Sequence, residues 1–233
     1  MRIGIIGATG MAGQEIYREA VRRGEDAVAI VRDAAKAREV LGADTAVVEQ
    51  DAFALTAQDL AGFEAVVDAF GTTPDRARTH NELVRQLVEA ALAMEESAPR
   101  LVFILGAGSL TDPETGALAI EGIRQAPGAE AWISIPEAAL EQLEYLRTVD
   151  TADWVGISPQ MIFSPGKATT PQLGTDFLLT AADGALTPRP APWQWRSWTS
   201  CRNRPTTRPA SPSRTPEPDY RRWDGSCPRA SKS

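Results

Sequence analysis

Cysteine is absent from residues 1–186, and the whole chain has one histidine, His80, and three tyrosines, Tyr17, Tyr145 and Tyr220. Thiol catalysis, a disulfide framework, a Cys/His zinc centre and a histidine-based triad are therefore excluded from this segment by inventory. No apolar stretch approaches the ~18 residues needed to span a bilayer. A β-type run starts at Arg2 with no charged leader, so a cytoplasmic protein with no membrane partner is expected. Basic residues are scarce as well: residues 1–186 hold 14 Lys/Arg against 28 Asp/Glu, a net charge of −14. Nucleic acid is an unsuitable partner for such a body, because its binding rests on cations that neutralise phosphates.

What is present divides into two parts. The chain of 233 residues is 43% hydrophobic and 24% charged, enough to build a core. Residues 187–233 carry a net charge of +7, nine of the 17 prolines, four of the six tryptophans and both cysteines, Cys201 and Cys227. They show no apolar periodicity, and this composition predicts disorder. Residues 1–186 alternate short Val/Ile-rich runs with helical patterns, as βα units around a parallel sheet do. The strand candidates are Ile3–Ile6, Ala27–Val31, Thr45–Glu49, Ala65–Phe70, Leu101–Leu105 and Trp154–Ser158. Apolar residues recur at helical spacing in Ala12, Ile16 and Ala20, in Leu83, Leu87 and Ala91, and in Leu140, Leu143 and Leu146. Thr56 and Asp59 are spaced as a capping box. Right-handed crossovers then give a three-layer α/β fold with a doubly wound parallel sheet, ordered 3-2-1-4-5-6.

The first strand runs directly into Gly7-Ala8-Thr9-Gly10-Met11-Ala12-Gly13 and a helix. Gly7 suits a tight turn, Gly10 lets backbone approach a pyrophosphate, and Gly13 lets the helix lie close to the strand. This is a dinucleotide-binding pattern. The second strand ends at Val31-Arg32-Asp33, where the adenosine ribose is read. Arg32 can pair with a 2′-phosphate and Asp33 can accept from a free 2′-hydroxyl; the guanidinium favours NADP(H), with NAD(H) as the alternative. Asp51-Ala52-Phe53 follows strand three and Ala69-Phe70-Gly71 ends strand four, both at the carboxyl edge where ligands bind. Asp51 can reach an adenine amino group, and Phe53 is either core or an adenine wall. His80 opens the next helix and reads as an exposed first-turn residue.

With these motifs the chain resembles the atypical short-chain dehydrogenase/reductase superfamily, in particular its NADH-flavin reductase group, and is similar to biliverdin/flavin reductase. The resemblance rests on the glycine turn, Ala29-Ile30-Val31-Arg32-Asp33, Asp68-Ala69-Phe70-Gly71, Leu101–Leu110 with its Gly106-Ala107-Gly108-Ser109-Leu110 run, and Ile157-Ser158-Pro159 with Phe163, Pro165 and Gly166. It implies an NAD(P)-binding Rossmann fold over residues 1–186, with a small acceptor-side region from about residue 157. It also implies cofactor contacts at Gly7, Ala8, Thr9, Gly10, Met11, Gly13, Arg32, Asp51, Ala52, Phe53, Ala69, Phe70, Gly71, Gly108, Ser158 and Pro159.

The superfamily's Tyr and Lys, four residues apart, are missing: Val21, Val149 and Asp224 stand four beyond the three tyrosines. Alcohol dehydrogenation and sugar epimerisation need such an acid or base and are disfavoured. Hydride transfer to a flavin, quinone or similar conjugated small molecule asks mainly for positioning. Ser109 fits the superfamily's catalytic serine. Trp132, Met161 and Phe163, along with Phe70, are candidate walls of the acceptor pocket, with flavin as substrate and not as a tightly bound group. The alternative is a non-catalytic NAD(P)H-binding redox sensor. A monomer or homodimer is expected.

The string Pro192–Cys201 holds three tryptophans, each with a single codon. Read one nucleotide earlier, it can become M-A-V-A-L-V-D-E-L, an amphipathic helix resembling one near the family's C-terminus. A frameshift near residues 184–192 is therefore expected to have produced the 187–233 ending.

Overall fold

In a computed structural model that describes residues 1–160 and 176–178, six parallel strands form one sheet in the order β3-β2-β1-β4-β5-β6. The strands are β1 (Arg2–Ile6), β2 (Asp26–Val31), β3 (Ala46–Glu49), β4 (Ala65–Asp68), β5 (Arg100–Ile104) and β6 (Trp154–Ile157). The helices are α1 (Met11–Arg22), α2 (Ala34–Leu41), α3 (Ala57–Leu60), α4 (Thr79–Leu92), α5 (Ala119–Arg124) and α6 (Ser134–Leu146). The order reverses on either side of β1, which places a ligand-binding crevice at the carboxyl ends of β1 and β4. Both the doubly wound architecture and the strand order are those expected.

The central strands are buried on both faces, which explains their unbroken Val/Ile character. The edge strands β3 and β6 are half-exposed, since each has a neighbour on one side only. Arg100 at the start of β5 holds Asp153, just before β6, through its Nε at 2.9 Å and 3.0 Å. That clip fixes the register of the outer pair, Leu101 against Trp154.

One core lies between the sheet and α4 and α6, with Phe103, Leu83, Leu87 and Leu146 almost fully buried. Each such side chain contributes about 1.5–3 kcal/mol of burial. The spacing in α4 is as expected. In α6 it is not: Leu143 and Leu146 are buried, but Leu140 is half-exposed, and Ala138 and Gln142 take the inward positions. A strict three-residue repeat drifts around a helix of 3.6 residues per turn, so Leu140 rotates off the packed face. Ala12 is likewise half-exposed, and Gly13 packs in its place beside Ile16, Tyr17 and Ala20. The Thr56/Asp59 capping box forms, with the Asp59 carboxylate accepting the Thr56 amide at 2.8 Å.

Between β5 and α6 the chain makes a 3-10 turn at Ala107–Ser109 and then α5. Leu110, Ala119 and Leu178 make a small second cluster here. Thr111 pairs with the later segment, donating to the Asp176 carbonyl at 2.7 Å and accepting from Leu178 at 2.9 Å. Among the described residues no helix is long and apolar enough to cross a membrane. Met161, Phe163 and the whole of residues 187–233, with the ending ascribed to a frameshift, lie outside the described residues.

Candidate functional site

A cavity of about 560 Å³ opens along the carboxyl edge of the sheet. Its floor begins at the glycine turn. Gly7 has φ +71°, and a Cβ there would lie 2.6 Å from the Ala69 carbonyl oxygen, so this position takes only glycine. The turn closes with the Gly10 amide donating to the Gly7 carbonyl at 2.8 Å, and Gln14 Nε2 holds the Thr9 carbonyl at 2.9 Å. At Gly13 a Cβ would sit 2.1 Å from the Gly7 oxygen, so α1 rests directly on the turn.

Gly10 is the N-cap of α1 and has no side chain to cap with, and the first turn holds no acidic residue. The amides of Met11 and Ala12, both lining the cavity, are left open to it. A row of free N–H groups at the positive end of a helix, with backbone packed too closely for any Cβ, fits a pyrophosphate. Thr9 and Gly10 also line the cavity, whereas Ala8 is fully buried behind the turn and Gly13 serves packing.

At the end of β2 the two competing residues take different roles. Arg32 is exposed and lines the cavity. Asp33 is the N-cap of α2, its Oδ1 accepting the Lys36 amide at 2.9 Å, and it does not line the cavity. Asp51 lines the cavity while its Oδ1 accepts the Phe53 amide at 3.0 Å. Ala52, Phe53, Ala69, Phe70 and Gly71 complete this wall. Phe53 meets Phe70 edge-on at 5.4 Å between ring centroids, so it is a half-buried wall and not interior core.

The far end of the cavity is bounded by Gly106, Ala107, Gly108 and Pro159 and by one stripe of α6: Ile135, Ala139 and Gln142, with Pro136 beside them. Trp132 stands at the rim, 41% exposed. Ser109, expected as the catalytic serine, is 6% exposed and does not line the cavity. Its hydroxyl donates to the Gly106 carbonyl at 3.2 Å and lies 3.2 Å from the Ser158 hydroxyl, so the 3-10 turn absorbs it instead of presenting it to an acceptor. Ser158, turned towards Ser109, is also off the lining.

Two side chains missed by sequence reading join the site. His80 is not an exposed first-turn residue: its ring is half-buried, packs against Phe70 at 5.3 Å and lines the cavity. Burial lowers its pKa from the ordinary 6.5, favouring the neutral imidazole. Gln142 is 2% exposed, a polar residue where apolar periodicity marks none. Beside the crevice, Asp68 ends β4 with 4% exposure. Burial pushes its pKa up to about 7, while a hydrogen bond from the Phe70 amide at 3.0 Å pulls the other way.

The described lining residues include no tyrosine or lysine, and no group of His, Cys, Asp and Glu among the described residues could hold a metal. The site as built can grip a pyrophosphate, read an adenosine ribose and stack a flat ring against apolar walls. It is the site of a nucleotide-binding Rossmann protein.

The particular family follows from comparison. Residues 7–185 match the NAD(P)H-binding family, and the chain belongs to it. It is 38% identical over 186 residues to the uncharacterized protein YwnB of Bacillus subtilis (strain 168), covering 79% of this chain and 84% of that one. Among solved structures, a Lactobacillus casei protein matches with a TM-score of 0.71 at 34% identity, covering 79% of this chain and 85% of the other. A "putative NADH-flavin reductase" of Streptococcus pneumoniae TIGR4 matches with a TM-score of 0.68 at 31% identity, over the same shares.

Proposed function

We propose that this protein is an NADPH-dependent reductase that passes hydride to a flavin, a quinone or a similar conjugated acceptor. One observation carries the reading. A single cavity joins the phosphate turn and Arg32 to an apolar end walled by Ile135, Pro136 and Ala139, with no tyrosine or lysine among its described lining residues. The name of the Streptococcus pneumoniae neighbour agrees with it.

The residues divide the work. The Met11 and Ala12 amides hold the pyrophosphate, Arg32 the 2′-phosphate, and Phe53 a face of the adenine. When bound, the dinucleotide supplies a hydride from the nicotinamide C4. The acceptor ring takes this hydride and one proton from solvent and is reduced by two electrons as the nicotinamide is oxidised. Ile135, Pro136 and the rim residue Trp132 pack on the acceptor and limit its orientation, which is the protein's main contribution to such a transfer.

The test is NADPH oxidation with riboflavin, FMN and menadione. Turnover above the enzyme-free rate is expected. Tight NADPH binding with no oxidation of it in any of the three mixtures would overturn the reading in favour of a redox sensor.

For the cofactor choice, Arg32→Ala is expected to weaken NADPH binding by about 10- to 100-fold, the value of a charge-assisted hydrogen bond. NADH binding should hardly change. Asp33→Ala is expected to leave the NADPH/NADH ratio alone and to cost about 1 kcal/mol of stability as a lost N-cap. Titration of each variant with both cofactors checks this, and an NADH preference abolished in Asp33→Ala would reverse the assignment.

A further inference from the structure

We propose that Gln142 is the specificity-determining residue of the acceptor pocket, selecting ring systems that carry an amide or imide edge, such as the pyrimidine end of a flavin, over quinones. This rests on the reductase reading and names its substrate class.

Gln142 is 2% exposed, yet it lines the cavity. It lies on α6 seven residues after Ile135 and three after Ala139, the stripe that faces the cavity, so the helix delivers it to the inner end of that wall. Gly106 lets the wall come close: a Cβ there would lie 3.2 Å from the Ala139 Cβ. Neighbouring inward residues Leu143 and Leu146 belong to the apolar core, and an apolar residue at 142 would continue their packing.

No hydrogen bond joins the Gln142 carboxamide to a described residue, and it is not a fully enclosed unpaired group as Asn81 Oδ1 is, so its polar atoms keep contact with the cavity. A carboxamide presents one acceptor and two donors side by side. Its complement on a flat ligand is an adjacent N–H and C=O, as in a cyclic imide. A quinone offers carbonyl oxygens alone and leaves the acceptor half of the carboxamide unpaired. Sites built to hydrogen-bond an N–H discriminate strongly against analogues that lack it.

Gln142→Met keeps the shape and removes both hydrogen-bonding functions. Binding of riboflavin to the NADP⁺-saturated protein, read by quenching of flavin fluorescence, is expected to weaken by about tenfold in the variant. With NADPH as donor, kcat/KM for riboflavin should fall by about the same factor while that for menadione stays within about twofold. The melting temperature should stay level, because methionine keeps the volume and the apolar contacts of the buried side chain.

Equal losses for riboflavin and menadione, or weaker NADP⁺ binding in the variant, would overturn the proposal by placing Gln142 on the cofactor. A lower melting temperature with unchanged riboflavin binding would overturn it as a structural residue. If the wild-type protein binds NADPH but reduces neither acceptor, the reductase reading itself fails, a separate outcome from these.

Discussion

Gly13→Ala is expected to weaken NADPH binding by at least tenfold and to lower the melting temperature by about 2–12 °C, from an overpacking cost of about 1–3 kcal/mol. The added Cβ would lie 2.1 Å from the Gly7 oxygen, 2.7 Å from the Gly7 carbonyl carbon and 2.8 Å from the Ala8 Cα. All three are backbone atoms, so no side-chain rotation relieves the contact. Relief requires α1 to lift from the turn, which withdraws the Met11 and Ala12 amides from the pyrophosphate position. Binding and stability should therefore fall together.

Gly122→Ala is the control, since a Cβ there meets nothing within 4 Å and the site is helical, within α5. It should be neutral or stabilising by up to about 1 kcal/mol. Calorimetric NADPH titration and thermal melts of both variants provide the check. Unchanged binding in Gly13→Ala would show that the turn does not carry the pyrophosphate.

Asp68→Asn is the second large effect, and its sign depends on pH. The carboxyl is held in an apolar site with only the Phe70 amide bonded to it, and its folded pKa stands at about 7 against an ordinary 3.8. A group whose folded pKa is raised keeps its proton longer in the folded state than in the unfolded one. The ionisation penalty of its burial is therefore absent below the ordinary value. The penalty grows as pH climbs towards the folded value and is constant above it, reaching an upper bound of about 4 kcal/mol.

Asparagine retains an oxygen for the Phe70 amide and cannot ionise. Asp68→Asn should melt several degrees above the wild type at pH 8, with the difference shrinking steadily as pH falls towards 4. Melting curves of the two proteins across this range give the result. A difference independent of pH would show that Asp68 is not the titrating group.

The glycine turn, the strand order and the missing Tyr/Lys pair could all be read from the chain, because each depends on residues close in sequence or on inventory. A glycine beside a helix start has a local consequence, and Val/Ile runs at βα spacing allow few topologies. The roles of Arg32 and Asp33 could not be separated that way. Adjacent residues at a strand end differ only in which one the next helix recruits as its cap, and Asp33 is the one α2 takes. Ser109 sits where a catalytic serine was expected, yet the 3-10 turn directs its hydroxyl back to Gly106.

His80 and Gln142 were hidden for a related reason. Apolar periodicity finds the face of a helix that packs on a core, and it discards a polar residue on that face as a break in the pattern. Whether such a residue meets solvent, core or cavity depends on how the helix lies across the sheet. Sequence by itself determined a cysteine-free acidic body, the dinucleotide fold and the glycine turn between β1 and α1. Tertiary structure alone decided which side chains face the cavity, because α4 and α6 bring His80 and Gln142 to it from segments some 60 residues apart, with the Asn81 contact to Glu141 joining the two helices.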